Sequence, residues 1–147
     1  MGLNKYNQLL VEEKIVELKD LRSVVIEFLD NGGGKGEDAC DFCRGKRSPS
    51  SSDNPVKAII SLKNDRETAY KVYIAVQNEL VAAYNELRNR EFSRLYPNMQ
   101  LNFIEAQKIY DDPRTSIDMK LDLKPKLSVV KEMFPMKLSE AEPSKKS

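Results

Sequence analysis

The sequence predicts an α+β fold with two layers, in which helices pack on one face of a small sheet. Two short apolar runs around a polar turn predict a hairpin near the N-terminus, and a β-branched run over 56–62 predicts a buried strand. Two longer stretches repeat apolar residues at helical spacing. A chain of 147 residues is the size of one ordinary domain, so we expect one domain over 1–147.

The first elements are a hairpin and a helix. Asn7–Val11 and Ile15–Val16 read as strands on either side of a Glu12-Glu13-Lys14 turn. An amphipathic helix follows, and its apolar face is formed by Leu18, Leu21, Val25 and Leu29. Gly32-Gly33-Gly34 then ends the helix, because glycine readily adopts the left-handed conformations that close helices.

Composition changes between Asn31 and Pro55, where Gly, Ser, Pro and charged residues dominate. The part of this stretch with the weakest structural signal is Ser48-Pro49-Ser50-Ser51-Ser52. Such a composition is typical of mobile linkers. We therefore predict a flexible insertion over 31–55.

Order resumes with the predicted strand Val56–Leu62 and a long helix after Asn64 and Asp65. One side of this helix carries Ala69, Val72, Tyr73, Val76, Leu80, Ala83, Tyr84 and Leu87. So wide an apolar face indicates packing against a sheet together with a second contact, either another helix or another subunit. Tyr73, Leu80 and Tyr84 are accordingly candidate residues for self-association, with ordinary core packing as the alternative.

The last third of the chain predicts two helices and a strand. Phe103–Tyr110 fits a short helix that stops before Asp111-Asp112-Pro113, and Lys126–Phe134 fits a second one that Pro135 ends. A strand at the edge of the sheet is predicted where side chains then alternate, over Met136, Lys137, Leu138, Ser139 and Glu140. Residues 141–147 form a polar tail.

Composition argues against several classes of function. Histidine is absent, which removes the side chain most often used as a general base and the commonest metal ligand. The sequence contains no GxSxG, Walker-type, GxGxxG or HExxH motif, so we expect neither enzymatic activity nor a cofactor. With 24 basic and 23 acidic residues the chain has no large positive field for nucleic acid, and no apolar run long enough for a membrane helix, so we expect it to be soluble.

Cys40 and Cys43 form a CxxC motif, whose spacing allows a metal site, a redox pair or a local disulfide. A structural zinc site needs about four ligands, and there is neither a second CxxC nor a histidine. The motif also lies in a Gly/Ser-rich insertion rather than at the start of a helix after a strand. A loop feature, with a local disulfide in an oxidising compartment, is the favoured interpretation, and a thiol redox or metal-binding protein is the alternative.

Three segments together resemble one protein family in order and spacing. They are Asn7–Glu12 leading into Leu18–Arg22, then Ile59–Arg66 continuing through Tyr73 and Val76–Arg88, and finally Phe134–Pro143. The family is ExbD/TolR in its Bacteroidetes-type form, the small subunit of proton-driven motors in the bacterial envelope. The stretches that do not share the resemblance are Asn31–Pro55 and about 91–124.

This resemblance implies a periplasmic domain with helices on one face of a sheet, in a single-pass inner-membrane protein. It implies a homodimer that works with ExbB-like and TonB-like proteins in import across the outer membrane, without a cofactor. The membrane helix and its proton-conducting aspartate would precede Met1-Gly2, which opens close to a predicted strand. The predicted edge strand over 136–140 is the candidate partner-binding surface. A TolR-like scaffold that binds peptidoglycan is an alternative.

Overall fold

The computed structural model describes residues 1–4, 6–11, 14–64, 67 and 69–141; among these, the side chains of residues 14, 64 and 139–141 are not described. The chain forms two compact units. The first comprises residues 1–83 together with the described residues from 137 on, and the second comprises 84–136. The sequence predicts one core for the whole chain, whereas the second unit has a hydrophobic cluster of its own.

The described residues of the first unit form a mixed sheet of five short strands. They are β1 (Gly2–Leu3), β2 (Leu9–Val11), β3 (Lys14–Val16), β4 (Ile60–Asn64) and β5 (Leu138–Ala141). Their order across the sheet is β3-β2-β1-β4-β5. The first three strands are antiparallel, and β4 runs parallel to both of its neighbours. The predicted hairpin is confirmed, with Leu9 opposite Val16.

One face of this sheet is buried. Along β4, Ile60 and Leu62 are buried while Ser61 and Lys63 are exposed, which is the alternation expected of a sheet covered on one side. The helix α1 (Leu18–Leu29) has the bounds that the sequence predicts, and it buries Leu21, Val25 and Leu29. The predicted α+β fold, a small sheet with helices packed against it, is confirmed.

Two helices are longer than the sequence predicts. The helix α2 (Tyr70–Leu95) continues eight residues past Leu87. The helix α4 (Ile117–Met133) begins nine residues before Lys126, because the Ser116 side chain accepts a hydrogen bond from the Met119 N–H and caps an earlier first turn. Pro125 lies within α4 at an exposed position, and the helix continues through it.

The second unit comprises the C-terminal part of α2 with α4 and the intervening helix α3 (Phe103–Asp111), which confirms the predicted short helix. Its buried cluster consists of Phe92, Phe103, Ala106, Leu123, Leu127 and Val130. Asn102 and Glu105 form a capping box at the start of α3. The Asn89 side chain on α2 accepts a hydrogen bond from the Ile104 N–H, which fixes the N-terminal end of α3 against α2.

Charged groups on α2 are also part of this unit. Glu91 is 0% exposed, and its two carboxylate oxygens accept hydrogen bonds at 2.8 Å from the Nε atoms of Arg90 and Arg94. Arg88 donates from Nε and Nη2 to the Phe134 carbonyl oxygen, at 3.0 and 2.8 Å. Burial lowers the pKa of the Arg88 guanidinium from its ordinary value. These hydrogen bonds offset part of the free-energy cost of removing the charged groups from water.

Candidate functional site

The strand β5 lies at one end of the described sheet, where the sequence predicts an edge strand. The strand itself covers Leu138–Ala141, so Met136 and Lys137 precede it. The Lys137 carbonyl oxygen accepts a hydrogen bond from the Ile60 N–H at 3.0 Å. The N–H and C=O of one strand residue point to the same side, and this side alternates along the strand. Because Lys137 faces β4, the N–H and C=O groups of Leu138 and Glu140 point away from β4.

This outward row of backbone groups is what a strand from another chain needs in order to pair. Met136 and Lys137 are exposed beside it. The predicted partner-binding residues Ser139 and Glu140 are described in their backbone, and their side chains lie outside the described part of the chain. The binding role of the edge stays a prediction.

Two of the three residues predicted for self-association, Leu80 and Tyr84, are buried. Leu80 and Tyr84 are 1% and 0% exposed, so neither can contact a second copy while the fold is intact. Tyr73 is half-buried, and its hydroxyl accepts a hydrogen bond from Gln77 Nε2 at 3.0 Å. Intrachain packing therefore accounts for the wide apolar face of α2, and the assignment of Leu80 and Tyr84 to an interface needs correction.

The stretch 31–55 differs from the predicted flexible insertion, since hydrogen bonds fix its path. Asn31 is buried, and its side chain bonds to the backbone of Ser48 and Ser52. Close packing reinforces these bonds, because a Cβ at Gly33 would collide with the carbonyl oxygen of Ser48. Gly32 has a φ of +65°, which other residues rarely adopt. This stretch has few apolar residues to bury, and side-chain hydrogen bonds to the backbone hold it in place.

The two cysteines are joined in a disulfide within this stretch, and both are buried. The guanidinium of Arg47 donates to the carbonyl oxygens of Cys40 and Cys43, at 3.0 and 2.7 Å. Arg47 therefore bridges the two ends of the disulfide loop through their backbone carbonyls. Among the described residues no group of three or more His, Cys, Asp or Glu is placed to hold a metal ion.

Reducing this disulfide is expected to lower the free energy of unfolding by about 2 kcal/mol, because it closes a loop of only a few residues and restrains the unfolded chain modestly. Urea denaturation of the oxidised and reduced protein, followed by circular dichroism, measures the difference. The double variant Cys40→Ser/Cys43→Ser should match the reduced protein and lose its sensitivity to reductant. Unfolding of the whole chain on reduction would contradict this small expected loss of stability.

A cavity of about 840 Å³ lies in the first unit, beside the C-terminal half of α1. Its apolar wall includes Val24, Phe28 and Ile59, and Arg44 and Lys46 line it as well. The sequence did not predict this cavity, because its walls come from α1, the 44–51 loop and β4, which are far apart along the chain. Only folding brings these segments together.

Within the described residues no helix is long and apolar enough to cross a membrane. No protein-family model, no curated protein and no solved structure matches this chain. Its function is therefore inferred from the residues and the geometry described above.

Proposed function

We propose that this chain is the periplasmic domain of an ExbD-like accessory subunit, in a proton-motive-force-driven ExbB–ExbD–TonB system for import across the outer membrane. The observation that carries the proposal is where the three family-like segments fall in the fold. They contain three of the five described strands, β2, β4 and β5, and parts of α1 and α2, whereas 31–55 and 91–124, which do not share the resemblance, contain no strand.

The correspondence holds segment by segment. The first segment contains β2 and the start of α1, and the second contains β4 and the N-terminal part of α2. The third, Phe134–Pro143, contains β5. By contrast, Asn31–Pro55 is the loop after α1, and 91–124 lies within the second unit. A family resemblance that follows the sheet, rather than being scattered over the chain, is what a shared fold with added segments would give.

The edge of β5 is the proposed coupling surface. A partner strand added there would be held by main-chain hydrogen bonds, which depend little on the sequence of the partner. Several such bonds lie side by side along the strand and share a load applied along it. This arrangement fits a subunit that recruits a partner and transmits force without chemistry of its own.

A tagged copy of the protein in its own cells provides the first test. After mild solubilisation, an ExbB-like membrane subunit and a TonB-like protein should copurify with it, as identified by mass spectrometry. Recovery of neither protein would contradict the proposal. Retention on purified peptidoglycan in place of both would instead favour the TolR-like scaffold.

The substitution Glu140→Pro is expected to weaken copurification of the TonB-like protein at least tenfold. Proline removes the outward N–H of residue 140 and is tolerated where a strand N–H faces solvent. The bond between the Lys137 carbonyl oxygen and Ile60 stays intact. The recovered TonB-like protein is quantified against the ExbB-like subunit as an internal reference.

Two matched variants control for other effects. Glu140→Gln removes the charge and keeps the N–H, so copurification should stay normal. Ser139→Pro removes an N–H that points toward β4, so it should lower the stability of the sheet itself. Equal copurification with Glu140→Pro and Glu140→Gln would show that the partner does not add a strand at β5.

A further inference from the structure

The cavity beside α1 is too large to be a packing defect. Protein interiors contain few voids larger than a water molecule, whereas this cavity has a volume of about 840 Å³. Sites that bind small molecules have volumes of about 300–1,000 Å³. The cavity therefore has the size of a ligand site, and its walls indicate the class of ligand that fits it.

Aliphatic side chains form most of the apolar wall of the cavity. Val24 comes from α1, Val11 from β2, and Ile59 and Ile60 lie where β4 begins. Phe28 is the single aromatic residue among the described lining residues, so the wall offers little surface for stacking a flat ring. Contact with aliphatic groups is non-directional and increases with the apolar area buried. Such a wall suits a flexible hydrocarbon chain.

The two basic side chains that line the cavity, Arg44 and Lys46, both belong to the 44–51 loop. Both are exposed. No acidic side chain in the described part of the chain lies within ion-pair distance of either one. Their charges are therefore available to an anionic group of a ligand.

Backbone contacts hold this loop against the end of α1 without help from a ligand. The Gly45 N–H donates to the Asp30 carbonyl oxygen at 2.8 Å, and the Arg47 N–H donates to the Asn31 carbonyl oxygen at 2.9 Å. The approach is so close that a Cβ at Gly45 would collide with the Asp30 carbonyl oxygen. The cavity and its basic residues are therefore formed before any ligand arrives, as in most small-molecule sites.

Two acidic residues also line the cavity. Asp30 is 6% exposed, and its Oδ1 accepts a hydrogen bond from the Arg44 N–H at 3.1 Å, so the loop backbone engages this carboxylate. Glu27 is exposed and lies about 160° around α1 from the buried Val25, on the solvent side of the helix. The exposed charges at the cavity are thus two positive and one negative, which favours an anion.

We propose that this cavity binds a fatty-acid anion, with the hydrocarbon chain against the aliphatic wall and the carboxylate near Arg44 and Lys46. An ammonium and a guanidinium both donate to carboxylate oxygens, and the guanidinium can do so through two parallel N–H groups. A long-chain cation would meet the same two positive charges and be repelled. The proposal goes beyond the proposed function, and neither depends on the other.

Isothermal titration calorimetry of the full chain with octanoate, decanoate and dodecanoate, each below its micelle concentration, tests the apolar wall. One ligand should bind per chain. Each buried CH₂ strengthens binding about fourfold, so two more carbons should tighten it about fifteenfold. An affinity that does not change with chain length would reject the contact with the aliphatic wall.

The charge of the head group is tested with dodecyltrimethylammonium, which has the same chain and should bind at least tenfold more weakly than dodecanoate. Arg44→Gln and Lys46→Gln should each weaken dodecanoate binding at least threefold. Lys35→Gln is the matched control, because Lys35 is exposed near this loop but does not line the cavity. Glu27→Gln should leave binding unchanged or tighten it, and weaker binding would indicate a cationic ligand instead.

Ile59→Glu places a carboxylate on the apolar wall and should weaken dodecanoate binding at least tenfold. Because Ile59 is 61% exposed, the fold should tolerate this change. Val56→Glu is the matched control, since Val56 is 47% exposed, lies three residues away and does not line the cavity. Circular dichroism should show both variants folded, and only Ile59→Glu should lose affinity.

Three results would overturn the proposal. The first is the absence of saturable dodecanoate binding, and the second is equal binding of dodecanoate and dodecyltrimethylammonium. The third is equal affinity of Ile59→Glu and Val56→Glu for dodecanoate. Binding to phosphatidylglycerol vesicles by a chain that does not bind dodecanoate would assign the cavity to a phospholipid instead.

Discussion

Replacing Asn31 with alanine is expected to lower the free energy of unfolding by about 3 kcal/mol. The Asn31 side chain is 4% exposed, and its Nδ2 donates to the carbonyl oxygens of Ser48 and Ser52, at 2.9 and 2.7 Å. Its Oδ1 accepts from the Ser48 N–H at 3.0 Å. Alanine would leave two carbonyls and one N–H without these partners, and each buried group left unsatisfied costs about 1–3 kcal/mol. The lower part of that range applies, because water can reach parts of the loop.

Urea denaturation gives the loss of stability, and hydrogen exchange locates it. The amides of Gly33 and Gly34, which donate to Ser52 and Asp53, should exchange faster in the variant. Asn31→Asp should cost at least as much at neutral pH, since its carboxylate would face the same two carbonyl oxygens. Asn78→Ala, at an exposed position of α2, is the matched control and should be neutral or slightly stabilising. A loss below about 1 kcal/mol in Asn31→Ala would show that Asn31 does not organise the loop.

Phe92→Ala is expected to lower the free energy of unfolding by about 4 kcal/mol, more than Asn31→Ala does. The Phe92 ring is fully buried in the second unit. Its centroid lies 5.1 Å from that of Tyr96 and 6.5 Å from that of Phe103, both in edge-on geometry. The substitution removes these contacts and leaves a cavity between α2 and α3 that rigid helices fill only partly.

Thermal and urea denaturation measure this loss, and hydrogen exchange should place it in α3 and α4. Phe92→Leu keeps most of the buried volume and should cost about 1.5 kcal/mol or less. Tyr70→Ala removes an exposed aromatic ring from the start of α2 and should change stability by less than about 0.5 kcal/mol. A similar loss in Phe92→Ala and Tyr70→Ala would contradict the expected contribution of the buried Phe92 ring to this core.

Elements with strong local signals could be predicted from the sequence. The bounds of α1 follow from its four regularly spaced apolar residues and the glycines after it. The hairpin of β2 and β3 follows from two apolar runs around a short polar turn. Alternation after Pro135 likewise indicated a strand, which the structure places at the end of the sheet. In each case neighbours in sequence carry the information.

Elements that depend on distant residues were missed. The early start of α4 depends on the cap at Ser116 and on Leu123, whose burial requires α2 and α3 to be in place. Helix α4 has an exposed apolar row, Ile117, Leu121, Pro125 and Val129, as well as its buried face. Both rows have helical spacing, so the sequence alone does not tell which of them is buried. The same ambiguity led to the assignment of Leu80 and Tyr84 to an interface.

The sequence by itself determined the α+β class, the sheet covered on one face and the hairpin of β2 and β3, because apolar periodicity acts over a few residues and each element must bury one face. It did not predict β1, and it placed the next strand over 56–62, whereas β4 covers Ile60–Asn64. Only the tertiary structure decided the path of 31–55, where Asn31 binds backbone groups 17 and 21 residues away. It alone also decided which face of α4 meets solvent and which peptide groups of β5 point outward. Those features depend on contacts between residues that are close in space and distant in sequence, so local sequence patterns do not predict them.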